Sequence, residues 1–284
     1  LEFVRKNNIE TMFYADKTYP YRLKECTDAP ILLYYKGTNN LNDSKFVGIV
    51  GTRNATESGR EICQKFVSEL FSNIPNVTIV SGLAYGVDIC AHKASIELGA
   101  TTIGVMGHGL DRIYPAVHRS TAVKMLQNGG LLTEYMSETN PDRQNFVQRN
   151  RIIAGLCDAM VVVESGRKGG ALITAELAND YNRDVFAFPG RINDEWSAGC
   201  NKLIKENRAA LIESADDLMK FMSWESQEMN SKSTIVQTSL FADLSDTDQE
   251  VVSTLRKYPD GVNVNELTIL LNKPYSKLSS QLLE

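Results

Sequence analysis

Three arginines and one phenylalanine lie within nine residues of the segment 141–155. They are Arg143, Phe146, Arg149 and Arg151, with Asn150 between the last two arginines. If residues 145–156 are helical, Phe146 and Arg149 share a face because they are three positions apart. A guanidinium fork binds phosphate and an aromatic ring stacks on an unpaired base, so these residue types suit single-strand binding. Solvated arginines over a core phenylalanine explain the same spacing equally well.

Glycine-containing turns supply a second set of candidate ligands for phosphate. The turns are Gly51-Thr52-Arg53, S-G-L-A-Y-G at 81–86, Gly107-His108-Gly109, and Lys168-Gly169-Gly170 ahead of a helix that contains Thr174. At the carboxyl ends of parallel strands, such turns present backbone N–H groups and helix N-termini to anions. A tight strand-to-helix turn explains any one of these glycines. Four turns converging on one sheet edge favour a phosphate site.

Cofactor and enzyme motifs are missing from the same turns. No G-x-G-x-x-G follows the first strand, and no G-x-x-x-x-G-K-[ST] occurs, which disfavours a dinucleotide enzyme and a P-loop ATPase. No G-x-S-x-G elbow supports a serine hydrolase. We therefore expect no cofactor and no catalytic residue.

Histidines and carboxylates give no metal or acid–base pattern either. The three histidines, His92, His108 and His118, lack H-E-x-x-H spacing. Asp88 and His92 are one helical turn apart, and a local cap with a packing contact is favoured over a metal site. Three further carboxylates are interpreted as strand-end or first-turn groups rather than general acids or bases: Glu134, Glu164 and Glu176.

Regular alternation of apolar runs and amphipathic stretches predicts the fold that positions these turns. The strands are expected at 46–51, 77–82, 101–107, 131–135, 159–165, 184–190 and 209–214, with helices at 57–72, 86–98, 117–128 and 171–181. Nearly continuous apolarity indicates strands covered on both faces, as in a parallel sheet. The pattern predicts an α/β fold with a Rossmann-like, doubly wound and mostly parallel sheet.

Composition divides the chain into four parts. Residues 1–45 are an N-terminal extension leading into the sheet, 46–224 the Rossmann-like domain, 225–243 a polar linker and 244–284 a small helical domain. The last part predicts three helices, the first capped by Ser245 or Asp246 and followed by a turn at Pro259-Asp260-Gly261. A short turn before the third helix is typical of a helix-turn-helix or winged helix, truncated here before any wing.

Overall charge and composition exclude several classes of protein. The 284 residues are 43% hydrophobic and 23% charged, which excludes a wholly disordered chain. A net charge of -5 disfavours nucleic-acid binding through a broad basic surface but allows a local basic groove. No apolar run approaches the ~18 residues of a spanning helix, and no signal peptide opens the chain. Five scattered cysteines favour a reducing cytoplasm, and a start at Leu1 favours a fragment.

An ordered set of seven motifs carries a resemblance to a known family. The motifs are G-T-R-N-A-T-E-S-G at 51–59, S-G-L-A-Y-G-V-D-I-C-A-H at 81–92, G-H-G-L-D-R-I-Y-P at 107–115, T-E-Y at 133–135, F-V-Q-R-N-R-I-I-A-G-L at 146–156, K-G-G-A-L-I-T-A at 168–175 and F-P-G at 188–190. Over roughly residues 19–222 the chain resembles the DNA processing protein A family, DprA or Smf. Seven motifs in order are far more specific than any one glycine turn.

This resemblance implies both an activity and a set of site residues. It implies a non-enzymatic protein that binds single-stranded DNA without sequence preference, dimerises and helps load the RecA recombinase in natural transformation. Carried over to this chain, phosphate is held by Arg53, the backbone of Gly51 and Thr52, and a cradle of Gly169, Gly170 and Thr174. Arg143, Arg149, Asn150, Arg151 and Lys168 then line the groove, and Phe146 meets a base.

A rival interpretation makes the chain an enzyme. Nucleotide phosphoribohydrolases of a related Rossmann branch carry P-G-G-x-G-T-x-x-E. Here Gly169-Gly170 with Thr174 and Glu176 match that motif only loosely, because the Thr–Glu spacing differs.

Overall fold

The computed structural model describes residues 2–74, 76–224, 246–258 and 261–282. The chain divides into two compact units, Leu1–Glu228 and Met229–Glu284. The predicted linker at 225–243 lies outside the described residues, as do Ser245, Pro259 and Asp260. Within the described ranges, every helix is too short or too polar to cross a membrane.

A nine-stranded sheet forms the first unit. Its strands are β1 (Glu10–Phe13), β2 (Leu32–Gly37), β3 (Lys45–Val50), β4 (Val77–Ser81), β5 (Thr101–Val105), β6 (Gly129–Thr133), β7 (Ala159–Val162), β8 (Asp184–Ala187) and β9 (Ala210–Leu211). The spatial order is β1-β2-β6-β5-β4-β3-β7-β8-β9. β1 and β2 pair antiparallel, as do β2 and β6, and every other pair is parallel. The predicted mostly parallel Rossmann-like sheet is confirmed.

Helices cover both faces of this sheet. They are α1 (Glu2–Lys6), α2 (Tyr21–Lys24), α3 (Glu57–Asn73), α4 (Val87–Glu97), α5 (Arg119–Met125), α6 (Arg143–Leu156), α7 (Gly170–Asp180), α8 (Ala198–Lys205) and α9 (Ala215–Phe221). Side chains of α2, α6, α7 and α8 share one apolar cluster with the strands, while α3, α4 and α9 share the opposite one. Alternate strand residues feed the two clusters, as expected for strands buried on both faces.

The chain reverses its winding direction at β3. From β3 it proceeds through β4 and β5 to β6 on one side, and then returns to place β7 against the other side of β3. Doubly wound sheets bind ligands at this point, because neighbouring turns diverge to opposite faces and leave a crevice beyond the strand ends. The turns after β3 and β7 are the G-T-R and K-G-G turns identified in the sequence.

The N-terminal segment contributes to the sheet itself. Sequence analysis placed no strand before residue 46, whereas β1 and β2 extend the sheet antiparallel beyond β6. Arg22 of α2 fixes this segment to the core: its Nε donates to Asp158 Oδ1 at 2.6 Å, and its guanidinium lies over the ring of Phe46. Asp158 also accepts the backbone N–H of Phe46, so one carboxylate joins the segment to β3.

The described residues of the second unit form three short helices, α10 (Asp246–Leu255), α11 (Val264–Leu271) and α12 (Tyr275–Gln281). Asn263 caps α11 by accepting from the N–H of Asn265, and Asn272 ends it in a left-handed conformation. A small core holds the helices together through Val251, Leu267, Leu271 and Leu278. The predicted three-helix arrangement is therefore present.

Candidate nucleic-acid interface

A cleft of about 720 Å³ opens at the carboxyl ends of β3, β4 and β7. Its walls come from the turns after these strands, the first turns of α6 and α7, and two loops that follow β5 and β8. Lining residues include Gly51, Thr52, Arg53, Arg143, Phe146, Arg149, Asn150, Lys168, Gly169, Gly170 and Thr174. Eleven of the twelve site residues predicted from the sequence thus lie around one cavity.

The turn after β3 is built to present Arg53. Thr52 donates its N–H to Glu164 O at 2.7 Å, and Thr52 O accepts from the N–H of Val87 at the start of α4. An added Cβ at Gly51 would lie 2.8 Å from Val87 Cβ and 2.9 Å from Glu164 O, so glycine is required there by packing. The Thr52 N–H thus already bonds within the protein, and its predicted contact with phosphate stays a prediction. Arg53 itself is exposed.

Three exposed cations in the cleft lack an internal partner. Within the described residues, the side chains of Arg53, Arg143 and Lys168 form no hydrogen bond or salt bridge, and all three line the cavity. Exposed cations without a carboxylate partner leave their charge available to an anion. This is the cluster of positive charge that phosphate binding needs.

The N-terminus of α7 lies between these cations. An added Cβ at Gly169 would meet only Ser165 Oγ at 3.9 Å, and one at Gly170 only Asn150 Nδ2 at 3.7 Å. Packing within the protein thus does not require glycine at either position. Bare backbone N–H groups at the start of an eleven-residue helix form a site for an anion that approaches closely.

Arg149 is buried beneath the cleft and ties α6 to the sheet. Its Nη1 donates to Gly82 O at 2.8 Å and also to Val105 O, which joins the ends of β4 and β5. Gly82 permits this crossing, since its Cβ would lie 2.7 Å from the guanidinium carbon. Burial lowers the pKa of Arg149 to about 10, and the nearby Asp88 carboxylate opposes that shift. Arg149 is thus first a structural cation, and its predicted contact with DNA stays a prediction.

Asp88 takes the capping role that the sequence favoured over a metal site. Its Oδ2 accepts from the N–H of Gly82 at 3.1 Å and of Ala84 at 3.4 Å. Burial raises the pKa of Asp88, and the positive charge of Arg149 opposes the rise. Asp88 is the one carboxylate among the described residues that line the cleft.

Phe146 stands on the first turns of α6 and is half-buried. Tyr114 stacks on it with ring centroids 5.6 Å apart and an interplanar angle of 29°. The Arg149 guanidinium lies 5.9 Å from the Phe146 centroid, and a Cβ at Gly107 would come within 2.7 Å of the ring. The aromatic wall of the cleft is therefore a pair of rings, of which Tyr114 is the more exposed.

Arg151 is the predicted site residue that the structure places elsewhere. It pairs with Glu134, and its Nη1 donates to Asp28 O at 2.8 Å. The Glu134 carboxylate just after β6 and the Asp28 carbonyl of the N-terminal segment hold its side chain away from the cleft. It binds carboxylates of the protein rather than lining the groove.

The remaining glutamates and histidines have structural partners. Glu164 accepts from the N–H and hydroxyl of Thr56, the residue that caps α3. Glu176 is exposed and pairs with Arg208 at 3.4 Å. Nδ1 of His108 donates to Gly109 O, and Nδ1 of His118 donates to Leu83 O. Across the described ranges there is no group of three or more His, Cys, Asp or Glu suited to a metal ion.

Two aromatic residues of the cleft were missed by sequence reasoning. Tyr114 lay within the quoted motif 107–115, but nothing in its spacing relates it to Phe146. Trp196 lies in the irregular loop between β8 and α8, where it was a single aromatic residue in a polar stretch. It reaches the cleft because Ser165, at the end of β7, donates its N–H to Trp196 O at 2.7 Å.

Comparison with known sequences identifies relatives over most of the first unit. The sequence profile of the family described as DNA recombination-mediator protein A matches residues 10–223. The chain is 41% identical over 204 residues to the DNA processing protein DprA of Streptococcus pneumoniae, covering 72% of this chain and 71% of that protein. It is 39% identical over 217 residues to DprA of Bacillus subtilis, covering 76% and 72%.

Solved structures agree with these sequence relatives. The X-ray structure of DprA from Streptococcus pneumoniae superposes with a TM-score of 0.71 at 39% identity, covering 77% of each chain. A structure of DNA processing protein A from Helicobacter pylori, described for its single-stranded DNA binding mode, gives a TM-score of 0.68 at 30% identity and covers 76% of this chain and 95% of that one. By sequence and by fold, the chain belongs to the DNA recombination-mediator protein A family.

Proposed function

We propose that this protein binds single-stranded DNA without sequence specificity and acts, without catalysis, as a recombination mediator. The observation that carries the proposal is the cleft itself: three unpaired cations and the bare N-terminus of α7 around an aromatic wall. Phosphates bind to the cations and backbone N–H groups, while unpaired bases meet the rings. The single-stranded DNA binding described for the Helicobacter pylori relative supports the same ligand.

The polar side chains that line the cleft support binding without sequence preference. The hydroxyls of Ser165 and Thr174 donate to Gly166 O and Gly170 O, and the amide of Asn150 donates to Gly170 O. Thr52 Oγ1 accepts from the N–H of Asn54. Base edges are read by side-chain donors and acceptors that are free to meet them. Because each of these four groups already bonds to backbone, we expect recognition to rest mainly on phosphate charge and ring stacking, which every nucleotide offers.

The phosphoribohydrolase alternative lacks support in the cleft. Glu176, the acid of the loosely matching motif, pairs with Arg208 outside the cavity lining. Asp88 lines the cavity, but it is buried and accepts from two backbone N–H groups. General acid or base catalysis needs a carboxylate within reach of the substrate, and neither residue has that position.

A titration by fluorescence anisotropy tests the proposal directly. Labelled oligo-dT, a mixed-sequence single strand and a blunt duplex with the same number of phosphates are compared at two salt concentrations. We expect equal affinity for the two single strands, weaker binding of the duplex, and weaker binding at the higher salt concentration. Equal affinity for the duplex contradicts the proposal, as does release of base from AMP at enzyme-like rates without DNA binding.

The partners in this proposal are RecA and a second copy of the chain. We propose that a homodimer in the cytoplasm delivers single strands to RecA during natural transformation, as the family resemblance implies. Assembly of purified RecA on single strands should accelerate in the presence of this protein, and sedimentation should give twice the 31.6 kDa chain mass. An Arg53→Ala variant, which retains the fold but loses a phosphate ligand, is the matched control for the RecA assay.

A further inference from the structure

Aromatic rings occur at two separated positions along the cleft. Tyr114 comes from the loop that follows β5, and Trp196 is bonded to Ser165 directly beyond β7. β4 and β3 lie between β5 and β7 in the sheet. With ~4.8 Å between neighbouring strands, the carboxyl ends of β5 and β7 are about 14 Å apart.

The first ring, Tyr114, is exposed and supported from behind. Its side chain is 48% exposed although its ring stacks on Phe146. Phe146 is in turn held by the backbone at Gly107 and by the Arg149 guanidinium. A ring fixed on one face and open on the other loses little entropy when a base stacks on it, which favours binding.

The second ring, Trp196, lies on a hydrogen-bonded loop and lines the same cavity as the α7 N-terminus. The backbone N–H of Trp196 donates to Asp194 Oδ1 and its backbone carbonyl accepts from the N–H of Ser165, while Ser197 Oγ donates to Asp194 Oδ2 at 2.9 Å. Trp196 lines the same cavity as Gly169 and Gly170 and packs near Gly166. A phosphate on the α7 N-terminus would therefore carry its neighbouring base toward Trp196.

We propose that the cleft binds a segment of single-stranded DNA at both of its ends, with one base stacked on Tyr114 and another stacked on Trp196. Arg53, Lys168 and the α7 N-terminus bind the phosphates between them. The separation of about 14 Å between the ends of β5 and β7 is roughly four times the 3.4 Å rise between neighbouring stacked bases. One nucleotide reaches only one ring, so the ligand of this site is an oligonucleotide segment. This inference rests on the proposed function and specifies its ligand.

Intrinsic fluorescence isolates the Trp196 contact, because the chain has only two tryptophans. Trp224 packs against the core with Lys45 Nζ 4.8 Å from its ring centre, and it is absent from the cleft lining. In a Trp224→Phe variant, emission from Trp196 should be quenched as oligo-dT binds, in step with anisotropy. A Trp196→Phe variant, which keeps Trp224, should show constant emission. Saturable binding that leaves Trp196 emission unchanged overturns the inference.

Substitution gives an independent test of both ends. Tyr114→Ala and Trp196→Ala should each weaken oligo-dT binding about five- to 150-fold, the range for loss of one stacked base. The double variant should lose the product of both factors, since the rings are far apart. Tyr21→Ala is the matched control, because Tyr21 is 47% exposed and is not part of the cleft. Circular dichroism verifies that each variant is folded.

Failure of this inference differs from failure of the proposed function. If wild-type protein does not bind oligo-dT, the proposed function is wrong. If wild-type protein binds but Tyr114→Ala and Trp196→Ala bind equally well, only the two-ended arrangement is wrong. Thymidine monophosphate gives a third readout: it should displace labelled oligo-dT at least 100-fold less effectively than dT6. Equal competition by the mononucleotide also overturns the arrangement.

Discussion

At the scale of single residues, exposure separates cations that serve a ligand from cations that serve the fold. Arg53 is exposed in the cleft without an internal partner, so Arg53→Ala should weaken oligo-dT binding by about 1.5–3 kcal/mol, as for a charged hydrogen bond. Its salt dependence should also become shallower, because one phosphate contact is lost. Anisotropy at several salt concentrations measures both effects.

Arg208→Ala is the matched control for that experiment. Arg208 is also exposed, but it pairs with Glu176 outside the cleft, so the expected change in affinity is small. Equal losses in the two variants would mean that overall charge, rather than the cleft, determines binding.

The arginines of α6 show what residue spacing can and cannot predict. Sequence analysis considered a helix at 145–156 that carries Arg149 and Arg151, and the structure begins this helix earlier, at Arg143. Spacing alone does not reveal that Gly82 O and Val105 O bind Arg149, because those carbonyls are more than 40 residues away in sequence. Nor does it reveal the Glu134 partner of Arg151. Distant partners decide which arginine is free.

A buried histidine should make folding sensitive to acid. Thr102 Oγ1 donates to Ile79 O, so it accepts from Nδ1–H of His92, and His92 Nε2 is buried without a partner among the described residues. Burial lowers the pKa of His92 to about 3, whereas the ordinary value is 6.5. As the pH falls, His92 is protonated in the unfolded chain near pH 6.5, but in the folded protein only near pH 3. The contribution of neutral His92 to the free energy of unfolding above pH 6.5 is therefore lost as the pH falls toward 3.

Urea unfolding at pH 7 and pH 5 measures this loss. The share due to His92 should be about 2 kcal/mol between these pH values. His92→Asn keeps a donor for Thr102 but does not titrate, so its free energy of unfolding should change less between pH 7 and pH 5. An identical pH dependence in wild type and variant would exclude His92 as the cause.

At the scale of elements, the glycines of the turns divide into two kinds. Gly51 is required by packing against Val87 and Glu164, whereas Gly170 at the start of α7 has no close neighbour. Gly51→Ala should therefore lower the free energy of unfolding by about 1–3 kcal/mol through overpacking. Gly170→Ala should leave it unchanged or raise it by up to ~1 kcal/mol, since a helical residue replaces glycine.

Gly170→Ala should weaken DNA binding, although it leaves the stability of the fold unchanged or higher. Its added methyl group lies where a phosphate approaches the α7 N-terminus, so oligo-dT affinity should fall at least tenfold, ~1.4 kcal/mol. Thermal unfolding and anisotropy on the same samples measure the two effects. Full affinity in Gly170→Ala would place the phosphate elsewhere in the cleft.

Strand prediction succeeded where apolar runs were long and failed at the antiparallel edge. β3 to β9 were all predicted, because buried parallel strands are nearly continuous runs of apolar residues. β1 has four residues and buries only Met12, and β2 alternates buried with partly exposed positions. Such short, half-exposed strands carry too few apolar residues to stand out from a loop.

At the scale of the whole molecule, negative charge is concentrated after the sheet. Residues 225–284 contain nine acidic and five basic side chains, whereas 1–224 contain 26 and 25. Residues 225–284 therefore carry net negative charge, which repels the phosphates of DNA. We therefore expect a chain without residues 225–284 to bind oligo-dT within tenfold of the full chain. A larger loss, with the fold intact by circular dichroism, would assign DNA contacts to the C-terminal segment.

Assembly of the cleft could be predicted only in part. The βα alternation, together with the switch-point rule, brings the turns after β3 and β7 together. It gives no information on Tyr114 or Trp196, whose loops follow β5 and β8 and have no periodic pattern. Their positions depend on the stack with Phe146 and on the hydrogen bond to Ser165, neither of which leaves a local signal.

The pairing of β3 with β7 has a consequence for synthesis on the ribosome. Val47 pairs with Ala159, so β3, which pairs with β4 on its other side, gains this second neighbour only after 112 more residues have been made. At roughly 5–20 residues per second, that delay is on the order of 5–25 s. Throughout this delay, the backbone N–H and C=O groups on this edge of β3 are unpaired and open to chaperones and to other nascent chains. Arg53 leaves the ribosome early, but it has no partner turn for phosphate until Gly170 has emerged.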